Sequence, residues 1–179
     1  MRIIGGDLKG KNIIPPANYA ARPTTDFAKE GLFNILINEF DLQQVSFLDL
    51  FSGTGSVSFE FASRGCPDII SVEMNPAHVR FIKQVMSAYK IKGMQVVRHN
   101  VFDFIEICTK KFGIVFADPP YSIEGLEAIP DKIFSKEIVL PEGYLILEHP
   151  AEYTFVQHPY FIKEKKYGNV HFSFFRKKE

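Results

Sequence analysis

Long apolar runs and clustered cysteines are absent from this chain of 179 residues. No apolar stretch approaches the roughly 20 residues that a membrane-spanning helix requires, and the N-terminus lacks the apolar core of a signal peptide. The sequence contains only two cysteines, Cys66 and Cys108, and their spacing matches no metal site. We therefore expect a cytoplasmic protein with reduced thiols, without a bound metal and without membrane association.

Net charge is also absent, because 21 basic residues balance 21 acidic ones. This balance at first argues against a nucleic-acid partner, but the charges are unevenly distributed. Residues 1–25 hold four basic residues against one acidic, and residues 163–179 hold six against two, whereas the middle of the chain holds eleven against eighteen. Basic ends of this kind indicate a polyanion-binding surface, although solvated tails on a globular domain would show the same pattern.

The order of strand and helix patterns predicts the fold class. The length favours one domain over residues 1–179, with a basic N-terminal arm at 1–25 that should be a short hairpin or extended segment, and a core at 26–179. In the core we predict strands at 45–50, 69–72, 95–98, around 114, 144–147, 160–163 and 170–175, and helices at 26–40, 56–64, 75–90, 102–108 and 123–134. Strands alternating with helices predict an α/β fold with a doubly wound, mostly parallel sheet.

Two further features of this fold follow from the pattern. The last two predicted strands flank Gly168 and Asn169 and should form an antiparallel C-terminal hairpin at one edge of the sheet. The first helix should bury one apolar stripe, formed by Phe27, Leu32, Phe33, Leu36 and Ile37.

The apolar run at residues 112–117 ends abruptly in Asp118, Pro119, Pro120 and Tyr121. Proline has no N–H with which to continue a sheet, so the strand must stop at Asp118. The Asp118 carboxylate and the Pro119 carbonyl could accept the two hydrogens of an exocyclic amine on a nucleobase, while Tyr121 stacks on the base. Such a turn would catalyse transfer to the amine by positioning and electrostatics. The alternative is an ordinary turn in which Tyr121 belongs to the core.

A second candidate loop follows the first strand and contains Asp49, Phe51, Ser52, Gly53 and Gly55. Its glycines allow close approach of a ligand, and the next helix offers free N–H groups. Glu73 comes about twenty residues later, where an acid can bind ribose hydroxyls.

Two cofactors could use this loop, a nicotinamide dinucleotide or S-adenosylmethionine. Asp49 would repel the pyrophosphate of a dinucleotide, and Ser58 occupies the position of the third glycine or alanine of that fingerprint. S-adenosylmethionine carries an ammonium and a sulfonium, which an acidic loop suits. We therefore favour S-adenosylmethionine, with S-adenosylhomocysteine as the product.

The adenosine contacts should come from the ends of the second and third strands. Asn100 could hydrogen-bond the adenine amine and the Val101 N–H a ring nitrogen, while Met74 and Phe102 could pack on the ring faces. Asn100 could equally be a helix N-cap, and core packing is an alternative for Met74 and Phe102.

The loop at 49–55 and the turn at 118–121 resemble the cofactor and catalytic motifs of Rossmann-like amino-methyltransferases. These two motifs do not separate nucleic-acid enzymes from those that methylate glutamine in release factors, although the latter usually carry Asn in place of Asp118. The segments 2–11, 22–26 and 30–34 resemble the bacterial RsmD family, the 16S ribosomal RNA guanine-N2 methyltransferases. The similarity covers nearly the whole chain.

The resemblance implies methylation of guanine N2 in 16S ribosomal RNA at the site known as position 966, on an assembling small ribosomal subunit. It also implies that Arg22, Thr24 and Thr25 lie at the mouth of the cofactor and RNA site, and the basic arm adds Lys9 and Lys11 as candidate RNA contacts. We expect a monomer. The alternatives are a DNA adenine or cytosine amino-methyltransferase, a non-catalytic RNA-binding assembly factor and, last, an oxidoreductase.

Overall fold

A seven-stranded sheet forms the centre of the molecule in the computed structural model, which describes residues 1–17 and 25–177. Its strands are β1 (Ser46–Leu50), β2 (Asp68–Glu73), β3 (Met94–Arg98), β4 (Phe112–Ala117), β5 (Val139–His149), β6 (Phe161–Tyr167) and β7 (Val170–Phe175). The strand order is β3-β2-β1-β4-β5-β7-β6. The first five strands are parallel, and β7 pairs antiparallel with both β5 and β6. The predicted mostly parallel sheet with an antiparallel hairpin is confirmed.

Helices cover both faces of this sheet. They are α1 (Asp26–Glu39), α2 (Ser56–Ser63), α3 (Pro76–Ala88), α4 (Val101–Ile107) and α5 (Ile129–Ser135), with a 3₁₀ turn at Leu126–Ala128. Successive strand residues point to opposite faces, so Phe47 joins an apolar cluster with α1, α2 and α3, whereas Leu48 joins a second cluster with α4 and α5. None of the described helices combines the length and apolar character needed to cross a bilayer.

Several predicted boundaries and one predicted stripe were wrong. Leu32, Phe33 and Leu36 of α1 are buried, but Phe27 is 67% and Ile37 50% exposed. The helix buries Ala28, Leu32 and Leu36 at four-residue spacing, which turns Phe27 towards solvent. Strand β5 starts at 139 because a register shift in its pairing with β4 accommodates Pro141 and Gly143. Strand β6 runs on to Tyr167, and α5 starts only at Ile129.

The described part of the arm, residues 1–17, forms a hairpin closed by an antiparallel bridge between Arg2 and Asn12. Its buried Ile3 and Ile13 join the cluster on the α1 side of the sheet. The turn of the hairpin lies against the C-terminal end of α2, where the Leu8 N–H donates to Ser63 Oγ at 2.9 Å. The arm is therefore packed along α2.

Candidate active site

The two candidate loops meet where the strand order reverses. Strands β1 and β4 are neighbours, with Leu50 paired to Ala117. Immediately after this pair, the Asp118 N–H donates to the Leu50 carbonyl at 3.2 Å. The loop after β1 and the turn after β4 therefore open into one crevice at the carboxyl edge, which is where doubly wound sheets bind ligands.

The loop after β1 is held in an uncommon backbone conformation. Phe51, Gly53 and Gly55 have φ angles of 61°, 55° and 80°, in the left-handed region that a residue with a side chain rarely adopts. At Gly55 an added Cβ would also lie 3.0 Å from the Phe59 ring and 3.2 Å from Ile82. Left-handed conformation costs about 1–2 kcal/mol at a residue such as Phe51. Strain of this kind is typical of ligand-binding loops.

Glu73 stabilises this loop directly. Its Oε2 accepts the Gly53 N–H at 2.8 Å, and its Oε1 accepts the Asn75 N–H at 2.7 Å, just before α3 begins. The carboxylate thus joins the end of β2 to the glycine turn beside it. Its predicted contact with ribose hydroxyls stays a prediction, and its position at the edge of the crevice is compatible with it.

The side chain of Ser52 carries a buried hydroxyl whose hydrogen-bonding capacity is unused within the described part of the chain. Its N–H donates to the Val72 carbonyl at 3.0 Å, but its buried Oγ has no hydrogen-bond partner among the residues that the structure describes. A buried hydroxyl without a partner costs about 1–3 kcal/mol. A polar ligand group in the loop would satisfy it, so the loop fits a cofactor with hydrogen-bonding groups such as S-adenosylmethionine.

Asp49 lies beneath the loop. Its side chain is only 2% exposed, and its Oδ2 accepts the Ser58 hydroxyl at 2.5 Å. Burial raises the pKa of Asp49 to about 7, against the lowering effect of the Ser58 hydrogen bond, and the nearby Glu73 raises it further. Ser58, which departs from the dinucleotide fingerprint, therefore serves as a hydrogen-bond donor to the buried Asp49. Any attraction that Asp49 exerts on a cationic cofactor must act from below the loop.

The predicted adenosine contacts lie around the start of α4. Asn100 is the N-cap of that helix, with Oδ1 accepting the N–H groups of Phe102 at 2.9 Å and Asp103 at 3.2 Å. The predicted bond from the adenine amine would need this same Oδ1, which already accepts two backbone N–H groups. Phe102 is half-buried and meets Phe51 edge to face at 6.1 Å, whereas Met74 is 61% exposed and is not a core residue. The buried Val101 stands at the first position of the helix.

The turn after β4, which the sequence predicts to be catalytic, presents an acid and a phenol. Asp118 is half-buried, Pro119 buried and Pro120 exposed. Tyr121 is 43% exposed and donates its hydroxyl to Glu148 Oε1 at 3.4 Å, so the alternative that it belongs to the core is wrong. Burial, reinforced by the negative charges of Glu148 and Asp49, raises the pKa of Asp118 well above its usual range. A carboxyl with a raised pKa is suited to accept a proton near neutral pH.

Glu148 is a candidate site residue that sequence reasoning missed. It is 5% exposed and follows Leu147, which pairs with Ala117. The sequence prediction ended the fifth strand at Leu147, so Glu148 was assigned to no element. The available signal was an acid placed directly after a buried run, as at Asp118. Among the described residues, no group of three or more His, Cys, Asp or Glu side chains could hold a metal ion.

The residues predicted to contact RNA differ in where they lie. Arg22 and Thr24 lie outside the described residues. Thr25 is the N-cap of α1 and accepts the Ala28 N–H at 3.2 Å. Lys9 and Lys11 are exposed on the hairpin, and Lys9 lies near the C-terminal end of α2, about 12 Å along that helix from the loop after β1. Lys9 therefore stands away from the crevice, and the predicted RNA contacts of Lys9 and Lys11 stay predictions.

A buried lysine, also missed, connects this arm with the loop. The Nζ of Lys29, with a side chain 0% exposed, donates to the Arg2 carbonyl at 2.6 Å and to Ser56 Oγ at 3.3 Å, and lies 3.9 Å from Glu60. Burial lowers the pKa of Lys29, although the charge of Glu60 opposes this. Since Ser56 opens α2, this ammonium joins the arm to the helix that follows the glycine turn.

Comparison with known proteins places these features in a family. The family model described as conserved hypothetical protein 95 matches residues 1–176. The Bacillus subtilis (strain 168) protein YlbH, provisionally named an rRNA methyltransferase, is 31% identical over 156 residues, which are 85% of this chain and 84% of that protein. Ribosomal RNA small subunit methyltransferase D of Escherichia coli (strain K12) is 29% identical over 152 residues, covering 85% and 76% of the two chains.

Solved structures share the fold. The protein TTHA0928 of Thermus thermophilus superimposes with a TM-score of 0.86 at 28% identity, covering 98% of this chain and 99% of that one. SMU.776, described as a methyltransferase on a provisional basis and crystallised with SAH, has a TM-score of 0.68 at 16% identity, covering 82% of this chain and 48% of that one. At this lower identity the likeness shows a shared fold.

Proposed function

The chain belongs to the RsmD family, whose model is described as conserved hypothetical protein 95, and from this premise we propose that it methylates the exocyclic N2 amine of a guanine in 16S ribosomal RNA. The methyl donor is S-adenosylmethionine. We propose further that the modified guanine is of the position-966 type, on the assembling small subunit. The names of relatives that act on small-subunit rRNA support this substrate.

The observation that carries the proposal is the position of Asp118 beside the loop after β1. The Leu50–Ala117 pair and the hydrogen bond from the Asp118 N–H to Leu50 keep the acid next to the glycine turn. An amine donor and a methyl donor bound in the same crevice would then be neighbours, and holding two reactants in position accounts for a large part of the rate in such transfers.

The residues of the loop after β1 would hold the cofactor. Ser52 Oγ offers a hydrogen bond, Gly53 and Gly55 supply the left-handed backbone that shapes the turn, and Glu73 offers a carboxylate to ribose hydroxyls. When bound, S-adenosylmethionine supplies an electrophilic methyl group on a sulfonium and leaves as S-adenosylhomocysteine.

The turn after β4 would act on the amine. The Asp118 carboxylate and the Pro119 carbonyl accept its two hydrogens, which keeps the nitrogen lone pair directed out of the hydrogen-bonded plane. Tyr121, which is exposed at the crevice, stacks on the base. As the nitrogen gains a bond to carbon it must lose one proton, and Asp118, with its raised pKa, is placed to accept it.

The first prediction tests Asp118. Asp118→Ala should lower the rate of methyl transfer by roughly 10²–10³-fold or more, since it removes the acceptor that holds the amine, while the dissociation constant for S-adenosylmethionine should stay nearly unchanged. We would incubate the protein with labelled S-adenosylmethionine and small ribosomal subunits from a strain without its own guanine-N2 enzyme. Digestion of the RNA should yield one N2-methylguanosine, absent with the variant.

Asp118→Asn is the matched control, because it keeps an acceptor oxygen of the same reach and loses the charge. Its rate of methyl transfer should lie between that of the wild type and that of Asp118→Ala. Label on adenine, on protein or on no product would contradict the proposed substrate. An equal loss of cofactor affinity and of transfer in Asp118→Ala would contradict the role given to Asp118.

A further inference from the structure

We infer that Glu148 recognises the target base by accepting the ring N1–H of guanine, beside the amine that Asp118 holds, and so selects guanine against adenine and cytosine. This inference rests on the proposed function and deepens it. It assigns a specificity-determining role to a residue at the carboxyl end of β5, next to the catalytic turn.

The first step is the position of the two carboxylates. Strands β4 and β5 are parallel neighbours in which Phe116 pairs with Ile146 and Ala117 with Leu147. The next residues along the two strands are Asp118 and Glu148, so their side chains leave at the same level on the same face of the sheet. Neighbouring strands lie about 4.7–4.9 Å apart, so carboxyl groups on the two strands can reach the same edge of one base.

Tyr121 makes a long hydrogen bond to the second carboxylate. Its hydroxyl donates to Glu148 Oε1 at 3.4 Å, while its ring is 43% exposed at the crevice. A carboxylate has about four acceptor positions, and the phenol donor occupies one of them. A base stacked on Tyr121 would therefore bring its edge close to Asp118 and Glu148 together.

The chemistry of the base edges then decides which base fits. On guanine the N2 amine stands beside the ring N1–H, which gives a row of donors that ionised carboxylates can accept. On adenine and on cytosine the exocyclic amine stands beside a ring nitrogen that is itself an acceptor. Such an acceptor would face the Glu148 carboxylate with no hydrogen between them, and sites with unpaired buried polar groups reject the wrong ligand strongly.

Electrostatics supports the same choice. Glu148 is 5% exposed and contributes, after burial, to the raised pKa of Asp118. Two carboxylates so placed repel each other, and N–H donors between them relieve that repulsion. A base with several donors on one edge is thus favoured by the same pair of acids that would repel a base with an acceptor at that position.

The test uses Glu148→Gln in the full chain with RNA that carries either guanine or 2-aminopurine at the target position. 2-Aminopurine keeps the N2 amine but presents an acceptor at N1, which a glutamine amide can satisfy by donating. The wild type should strongly prefer guanine. In Glu148→Gln the ratio of kcat/KM for guanine over 2-aminopurine should fall roughly 10- to 100-fold or more. 2-Aminopurine also lacks the O6 of guanine. Because the kcat/KM ratio is compared between the wild type and Glu148→Gln, the effect of the missing O6 cancels.

Controls separate recognition from folding. Glu152→Gln, an exposed acid three residues after His149, should leave the ratio unchanged. Tyr121→Phe keeps the ring and removes the hydroxyl that contacts Glu148. It should also lower the ratio of kcat/KM for guanine over 2-aminopurine, by a smaller factor. If Glu148→Gln does not fold, the result with Tyr121→Phe tests the inference instead. A uniform loss on both bases, or an unchanged ratio, would overturn the inference. A wild-type enzyme that leaves guanine unmethylated would instead overturn the proposed function.

Discussion

At the scale of single residues, Asp49 is an acid whose burial makes stability depend on pH. Its pKa is raised by burial from 3.8 to about 7. Between these values the folded protein keeps a proton that the unfolded chain releases, so stability should fall by about 1.4 kcal/mol for each pH unit as pH rises, and should level off above pH 7. An ionised Asp49 near the crevice is therefore maintained at a cost in stability.

The residue-scale prediction is that Asp49→Asn stabilises the protein at high pH. Asparagine has the same size, still accepts the Ser58 hydroxyl and cannot ionise. Its free energy of unfolding should exceed that of the wild type by a few kcal/mol at pH 8, and this difference should shrink towards pH 5. Urea unfolding at pH 5, 6, 7 and 8 measures it, with the exposed Glu127→Gln as a control. A difference that is constant with pH would refute the assigned cause.

At the scale of elements, α1 is joined to the antiparallel edge of the sheet by an unusually close contact. A Cβ at Gly31, in the middle of this helix, would lie 2.1 Å from Cε1 of Tyr167 at the end of β6. Glu39, the last residue of α1, accepts hydrogen bonds from Lys163 and from the hydroxyl of Tyr144. The Tyr167 and Lys163 contacts hold β6, an edge strand, against α1, and the Tyr144 contact joins α1 to β5.

We therefore predict that Gly31→Ala destabilises the protein by about 1–3 kcal/mol, because the added methyl overlaps a packed ring. In an ordinary exposed helix interior the same change would stabilise by about 0.5–1 kcal/mol. The control is the double-mutant cycle with Tyr167→Ala. Once the ring is gone, alanine at position 31 should become neutral or stabilising, and denaturant unfolding of the four proteins measures the coupling. Additive effects would show that Tyr167 does not impose the glycine.

The elements also show which features could be predicted from the sequence. The motifs at 49–55 and 118–121 were found because their glycines, prolines and acids lie consecutively and constrain the backbone locally. Glu148 was missed because its position beside Asp118 depends on the pairing of β4 with β5, which brings together residues thirty positions apart in the sequence. Phe27 was misplaced for a similar reason, since an apolar residue at a helix start is buried only if a partner covers that face.

At the scale of the whole molecule, the distribution of charge and the packing of the arm belong together. The hairpin of residues 1–17 lies along α2 on the α1 side of the sheet, and the buried Lys29 connects its Arg2 carbonyl with Ser56. The arm is thus a fixed surface, and its exposed Lys9 stands at the end of it that is away from the crevice, with the exposed Lys11 two residues further along. Contacts made there would reach RNA that flanks the target base, so they should affect binding of the substrate and leave its chemistry alone.

The prediction at this scale is that replacing Lys9 and Lys11 together by alanine weakens binding of ribosomal RNA without altering affinity for S-adenosylmethionine. Each phosphate that a lysine no longer neutralises should reduce the slope of log K against log salt concentration by about 0.7–0.9, so the pair should reduce it by up to about 1.8. At saturating RNA, kcat should stay unchanged and KM should rise. The matched control is Lys132→Ala with Lys136→Ala, in and directly after α5, which packs on the opposite face of the sheet. If both pairs lower the slope equally, general charge and not the arm attracts the RNA; if only the arm pair does, the hairpin is part of the RNA-binding surface.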